Sequence, residues 1–291
     1  MEAQTTNQTA RNQLHLSAFD DGAARRQLIE LDPDHPGFND QAYRARRDEI
    51  ARLAYAHAPG TPAADAPYSP AEHALWRDIN AALAAAHEAH ACAEYLASAR
   101  RLALPRARIP QLREVSARVQ ALSGFRLEPV AGLVAPRVFL EALAGGVFLC
   151  AQYIRHHSTP HYTPEPDVVH ELLGHAVLLA CAPLAELNRL FGAAARRAAS
   201  EAEFEQLARL YWFTVEFGVV REGRALKAYG TGLLSSAGEL EAMHKAELRP
   251  LDPEEAARCD FDPTDYQPLL FCADSFADML TTLRAYLRRL C

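Results

Sequence analysis

Thr163-Pro164-Glu165-Pro166-Asp167-Val168-Val169-His170-Glu171-Leu172-Leu173-Gly174-His175 decides how this chain is read. Two histidines and several carboxylates fall within one short stretch, directly after a proline-rich turn. Imidazole is the commonest metal-binding side chain, and a carboxylate is the usual companion of a hard divalent ion. The spacing is informative. A helical zinc-protease signature, H-E-x-x-H, sets its histidines four apart, and here the fourth position after His170 is Gly174. Five residues turn an ideal α-helix by ~500°, so the two rings stand ~140° apart on its wheel. They converge only if the helix ends or bulges between them, and Gly174 is the residue that permits it. Asp167 is placed to cap the helix start. The competing reading is two ordinary histidines, one of them in the core.

A third ligand is sought in Tyr211-Trp212-Phe213-Thr214-Val215-Glu216-Phe217-Gly218, where Glu216 interrupts an aromatic, apolar helical run. A buried carboxylate needs a cation, a hydrogen-bond donor or a proton. A structural salt bridge would satisfy it, but so would a metal already bound by His170 and His175. Two histidines and one carboxylate with open positions opposite is the arrangement of non-heme Fe(II) oxygenases.

Around these segments the 291 residues read as a mainly helical α+β chain. Residues 1–27 are polar and short of large apolar groups, which predicts a disordered segment ahead of a single domain over 28–291. Leu31–Phe38 is a Pro/Gly-punctuated loop, and 41–57 is helical. Ser69-Pro70-Ala71-Glu72 is a capping box with Pro at the first helical position, opening a helix expected to run to Arg101. A short helix from about Ile109 ends at Ser123-Gly124, and Phe125–Val130 alternates like a strand. Phe139–Ile154 fits helix then strand; 168–181 and 201–220 are helices, and Pro183 starts another. Gly230–Gly232 with Ser235-Ser236 marks a tight turn, and the last helix spans about 275–290.

Composition narrows the function classes. The formal net charge is -7, from 30 basic and 37 acidic residues. The densest basic run, Arg44-Ala45-Arg46-Arg47, is followed by Asp48-Glu49 and reads as a solvated helix face, so no nucleic-acid partner is expected. The six cysteines are scattered without a C-x-x-C pair, which fits reduced thiols in a cytoplasmic protein. The N-terminus lacks a charged start followed by an apolar run, and no stretch nears the ~20 apolar residues of a membrane helix.

The motifs together resemble those of the pterin-dependent aromatic amino acid hydroxylases. The likeness runs in order from about residue 30 to 276. It takes in Asp34–Phe38, Tyr43–Arg47, Gly124–Leu127, Pro129–Leu133, Gln152–His156, Thr163–His175, Tyr211–Gly218, Lys227–Gly230, Gly232–Ser236 and Tyr266–Leu269. The resemblance implies that His170, His175 and Glu216 bind Fe(II). It implies that Arg155 holds the amino acid carboxylate in a bidentate pair and that Asp167 orients Arg155. Thr163, Gly232 and Ser235 would complete the polar end of the substrate pocket, with Trp212, Phe217 and Pro166 around the ring. Val134, Phe139, Glu171, Ala208 and Tyr211 match positions that hold a reduced pterin such as tetrahydrobiopterin, with Phe139 stacking on it.

The implied chemistry is a mixed-function oxygenation with dioxygen as co-substrate, one oxygen atom passing to tetrahydropterin and the other to the aromatic ring. L-Phenylalanine to L-tyrosine is the reaction expected, since Trp212 resembles the phenylalanine-hydroxylating branch. Meta-hydroxylation of phenylalanine and hydroxylation of tryptophan are the alternatives within the family. Outside it stand a zinc metallohydrolase, which Gly174 speaks against, and a helical binding protein with a structural metal. Three departures bear on selectivity. Leu149 stands where many relatives carry His, Pro136 replaces a Ser, and Cys272 occupies a position that is apolar in phenylalanine and tryptophan enzymes and acidic in tyrosine enzymes. The extent of the likeness predicts a monomeric catalytic domain without a regulatory domain or tetramer-forming helix.

Overall fold

The structure is a computed structural model that describes residues 31–163, 165–263 and 265–290. The expectation for residues 1–27 lies outside the described residues. Helices dominate: α1 (Gln41–Tyr55), α2 (Pro70–His90), α3 (Ala93–Leu102), α4 (Leu112–Ser123), α5 (Pro136–Ala144), α6 (Ala182–Arg197), α7 (Glu201–Tyr211), the short α8 (Thr231–Leu234), α9 (Ala237–Ala242) and α10 (Pro253–Ala256), and the closing α11 (Phe276–Leu290). Strands β1 (Arg126–Val130) and β2 (Val147–Ala151) form a parallel pair. The strands β3 (Val219–Glu222), β4 (Ala225–Ala228), β5 (Glu247–Pro250) and β6 (Leu269–Ala273) form a second sheet in the order β4-β3-β6-β5. The mainly helical α+β class is therefore the one found.

Local chemistry explains where most elements begin. Ser69 accepts from the Glu72 N–H while the Glu72 carboxylate accepts from the Ser69 N–H, closing the expected capping box at α2. Asp40 caps α1 through the N–H groups of Ala42 and Tyr43. Gly124 ends α4 in the left-handed region at φ 78°, a conformation that costs glycine little. A large apolar core binds most of these pieces, with Trp76, Phe125, Phe148, Phe191 and Phe213 fully enclosed, and a small second cluster of Ile50, Ala151 and Tyr153 lies under α1. Such burial removes ~1.5–3 kcal/mol worth of apolar surface from water per large side chain.

Three expectations are corrected. The helix opened by Ser69 stops at His90, because Ala91 turns extended (ψ 151°) and bridges Ala228, with the Cys92 N–H donating to the Ala228 carbonyl at 2.9 Å. Alanine-rich sequence favours continuing the helix, and tertiary pairing overrides it. The helix expected to reach residue 220 ends at Glu216. Val219 and Val220 instead join β4 and β6, where β-branched side chains pack well. The expected turn at 230–236 contains α8.

The expected reduced cysteines agree with Cys92, Cys150, Cys181, Cys259 and Cys272 being free. Among the described residues no single helix is long and apolar enough to cross a membrane.

Candidate metal centre and substrate pocket

Two π-helical segments create the site. His170–Ala176 and Trp212–Glu216 both wind with the wider i→i+5 pattern, as the Phe217 N–H shows by donating to the Trp212 carbonyl at 2.9 Å. In that pattern residues five apart lie on one face. His170 and His175 therefore meet, with Nε2 atoms 3.0 Å apart and rings edge to face. The bulge anticipated between them exists, and it is the whole element that is rewound. Gly174, which lies within the rewound segment, also allows a close approach: a Cβ there would sit 3.0 Å from the Thr231 carbonyl oxygen and 3.1 Å from the Thr231 Cβ. Its lack of a side chain lets α8 dock against the first π-helix. Tyr95 braces the same turn from α3, its hydroxyl donating to the Leu173 carbonyl at 2.6 Å.

Glu216 ends the second π-helix and closes the triangle. One carboxylate oxygen lies 3.0 Å from His175 Nε2 and the other 3.6 Å from His170 Nε2. Burial pushes the Glu216 carboxyl up, but the facing His175, then His170, and the Thr231 hydroxyl bring it down to about 2. Burial lowers His170 to about 4, against the pull of Glu216. The centre therefore holds an ionised carboxylate with a neutral His170 at physiological pH, as metal ligation requires. Right-angled ligands each ~2.1 Å from one ion stand ~3.0 Å apart, and the observed separations of 3.0, 3.0 and 3.6 Å are of that size. The donor set fits one divalent cation with a face left open.

Contacts beyond the ligands fix their orientation, as metal sites require. His170 Nδ1 lies 2.9 Å from Ser235 Oγ. Thr231 Oγ1 donates to Glu216 at 2.6 Å and lies 3.2 Å from His175 Nε2. Phe148 from β2 lies against the His175 ring, centroids 4.5 Å apart. Sequence reading missed both Thr231 and Phe148. Thr231 was hidden inside a Gly-rich run read as a turn, and Phe148 inside an apolar run read only as helix then strand.

Beside the triad, Arg155 and Asp167 form a buried bidentate pair, Nη2 to Oδ1 at 2.7 Å and Nε to Oδ2 at 3.0 Å. Asp167 also accepts from the N–H groups of Arg155 and His170, the latter being the expected cap. Burial alone would raise the Asp167 carboxyl; the Arg155 charge and these donors reverse that and hold it below the usual carboxylate range. Thr163 donates to the Glu165 carbonyl at 2.9 Å and so shapes the loop carrying Pro166. Trp212 and Phe217 pack with tilted rings 4.6 Å apart, and Phe217 lies over Gly232, where a Cβ would come within 2.5 Å of its ring.

Of the residues assigned to a pterin, Phe139 and Tyr211 pack together beside His175. Phe139 on α5 sits 6.4 Å from the His175 ring and edge-on to Phe148 and Tyr211. The Tyr211 hydroxyl donates to Asn188. Glu171 is buried with no cationic partner among the described residues and accepts from the Ala151 N–H at 3.1 Å; burial raises its carboxyl well above the usual range. Val134 and Ala208 are half-buried, with Ala208 packed on the core. Leu149 on β2 and Cys272 on β6 are also half-buried and stand apart from the direct contacts of the triad.

A helical α+β domain with a facial two-histidine, one-carboxylate centre defines a class of metal-dependent oxygenase scaffold. The particular family follows from comparison with known proteins. Residues 18–291 match the biopterin-dependent aromatic amino acid hydroxylases, and the chain belongs to that family. It is 44% identical over 267 residues to tyrosine 3-monooxygenase of Mus musculus, covering 90% of this chain and 53% of that protein. It is equally 44% identical over 263 residues to phenylalanine-4-hydroxylase of Rattus norvegicus, covering 88% of this chain and 58% of that one. The chain thus spans little more than half the length of these curated relatives. Among solved structures, phenylalanine hydroxylase of Chromobacterium violaceum with bound iron(III) and 7,8-dihydrobiopterin superimposes with a TM-score of 0.73 at 25% identity, covering 94% of this chain and 92% of that one. The enzyme of Legionella pneumophila gives 0.70 at 32% identity, covering 77% and 91%.

Proposed function

We propose that this chain is an iron- and tetrahydropterin-dependent monooxygenase that hydroxylates the ring of an aromatic amino acid, with L-phenylalanine to L-tyrosine as its main reaction. The observation that carries the proposal is the facial triad of His170, His175 and Glu216 set beside the buried Arg155–Asp167 pair. Bound iron and reduced pterin would supply the activation of dioxygen. The residues of the chain bind and orient. His170, His175 and Glu216 hold the ion, Arg155 takes the substrate carboxylate, and Trp212 and Phe217 wall the ring. Phe139 and Tyr211 offer faces and edges to a flat heterocycle, and Glu171, its carboxyl raised by burial, offers it a hydrogen-bonding partner.

The family resemblance assigns Cys272 to the substrate pocket, and its chemistry there favours phenylalanine over tyrosine. A phenol buried in the pocket needs a hydrogen-bond partner, and a thiol is a weak one. Tyrosine enters as a second reading, because a tyrosine 3-monooxygenase and a phenylalanine-4-hydroxylase are equally similar to this chain. Turnover of the Fe(II)-loaded protein with tetrahydropterin and each aromatic amino acid in turn, with product isomers resolved, tests the proposal. Para-tyrosine from phenylalanine is the expected main product. Predominant meta-tyrosine, dihydroxyphenylalanine or hydroxytryptophan would overturn the substrate assignment, and oxygen uptake that ignores tetrahydropterin would overturn the reaction class.

A further inference from the structure

A second group of metal-ligating side chains lies outside the triad. Asp40, His156 and His157 bring one donor atom each to within 4.8 Å of one another. Asp40 is the N-cap of α1, and its two carboxylate oxygens have separate surroundings. Oδ1 accepts from the Ala42 and Tyr43 N–H groups at 2.9 and 3.0 Å, whereas Oδ2 faces His156 Nε2 at 3.3 Å. Nitrogen and oxygen donors ~2.0–2.1 Å from one tetrahedral ion stand ~3.3 Å apart. The His156 ring is buried, and Tyr43 holds it edge to face at 5.0 Å. Its Nδ1 accepts from the Ser158 N–H at 3.3 Å and lies 2.7 Å from Ser158 Oγ, so Nε2 becomes free to ligate when the ring proton shifts to Nδ1 and the hydroxyl accepts it. The His157 ring tilts against His156 at 4.2 Å and is exposed, so the third donor closes the group from the solvent side.

We propose that Asp40, His156 and His157 form a second divalent-metal site, suited to a borderline ion such as Zn2+ and completed by water. Two imidazoles and one carboxylate match that ion's preferences. The Asp40 carboxyl is held below the usual carboxylate range, first by the Tyr43 N–H and then by His156, so it is ionised and ready to ligate. The ion would tie the start of α1 to the residue that follows Arg155. An Asp40–His156 hydrogen bond without metal affinity is the competing explanation of the same geometry.

Equilibrium dialysis of the iron-free protein against Zn2+ separates the two. Asp40→Asn keeps a residue that caps as well as Asp, and His157→Ala changes an exposed side chain, so both variants should unfold at the wild-type midpoint. The wild type is expected to bind two equivalents, one at each site. Each variant should bind one, and each combined with Glu216→Ala should bind none. A single equivalent in the wild type, or two retained in either variant, would overturn the proposal.

Discussion

Arg155 directs most of its hydrogen-bonding capacity at the protein. Nε and Nη2 bind Asp167, while Nη1 donates to the Pro160 and Ser235 carbonyls at 3.3 and 3.2 Å. Of the five N–H groups of a guanidinium, one on Nη2 is left over. A bidentate grip on a substrate carboxylate therefore requires Nη1 to release one of its two longer bonds, so substrate entry should shift the Pro160 loop or Ser235. Because Ser235 also contacts His170, carboxylate binding would be felt at a metal ligand. Removing Asp167 strands the buried cation; Asp167→Ala should cost ~3–5 kcal/mol in urea unfolding, the range for breaking a buried pair from one side. A loss below ~1 kcal/mol would show that the pair is dispensable. Gly174 makes a separate prediction. Gly174→Ala forces Thr231 aside and should cost ~1–3 kcal/mol through overpacking while weakening iron binding, read by titration with Fe(II). Unchanged iron affinity would mean that the Gly174–Thr231 approach does not govern the centre.

The elements that matter most are the two π-helices, and they mark where the sequence was legible and where it was not. His170, His175 and Glu216 could be found from residue type and local context, and even the need for a distorted helix followed from the five-residue spacing. What replaces the α-helix could not be read, because a π-helix depends on partners distant in sequence: Tyr95 holding Leu173, and Thr231 packed against Gly174. The same limit explains the early end of α2 and the switch from helix to strand after Glu216. Both are imposed by pairing with β4, which local propensity does not register. The capping box at Ser69, the Gly124 stop and the closing helix, by contrast, are decided within a few residues and were read correctly. His87 links α2 to α8, its Nε2 lying 2.6 Å from the Leu234 carbonyl. Burial lowers this histidine from 6.5 to about 4, against the pull of that carbonyl. A depressed folded-state value means that its contribution is present above pH 6.5 and is lost as pH falls toward 4. The wild type should lose up to roughly 3 kcal/mol from this group across that window. Denaturation at pH 7.5 and 5.0 should show a smaller loss in His87→Gln; equal losses would contradict the assignment.

At the scale of the whole molecule, the centre lies where two segments distant in sequence meet over one shared core. The first π-helix carries two ligands and the second carries the third, 41 residues on by the numbering of His175 and Glu216. The small β4-β3-β6-β5 sheet and α8 hold the second against the first. That arrangement makes the ion a cross-link between parts of the fold, so iron should stabilise the native chain by binding it and not the unfolded one. The thermal midpoint should rise on adding Fe(II) under anaerobic conditions, and Glu216→Ala should abolish turnover and diminish the rise; an undiminished rise would place the stabilising ion elsewhere. The most direct test of the central claim is anomalous diffraction at the iron edge from crystals grown with Fe(II). A strong iron peak is expected within bonding distance of His170 Nε2, His175 Nε2 and a Glu216 carboxylate oxygen. Iron bound without Glu216, or no peak at this centre, would contradict it.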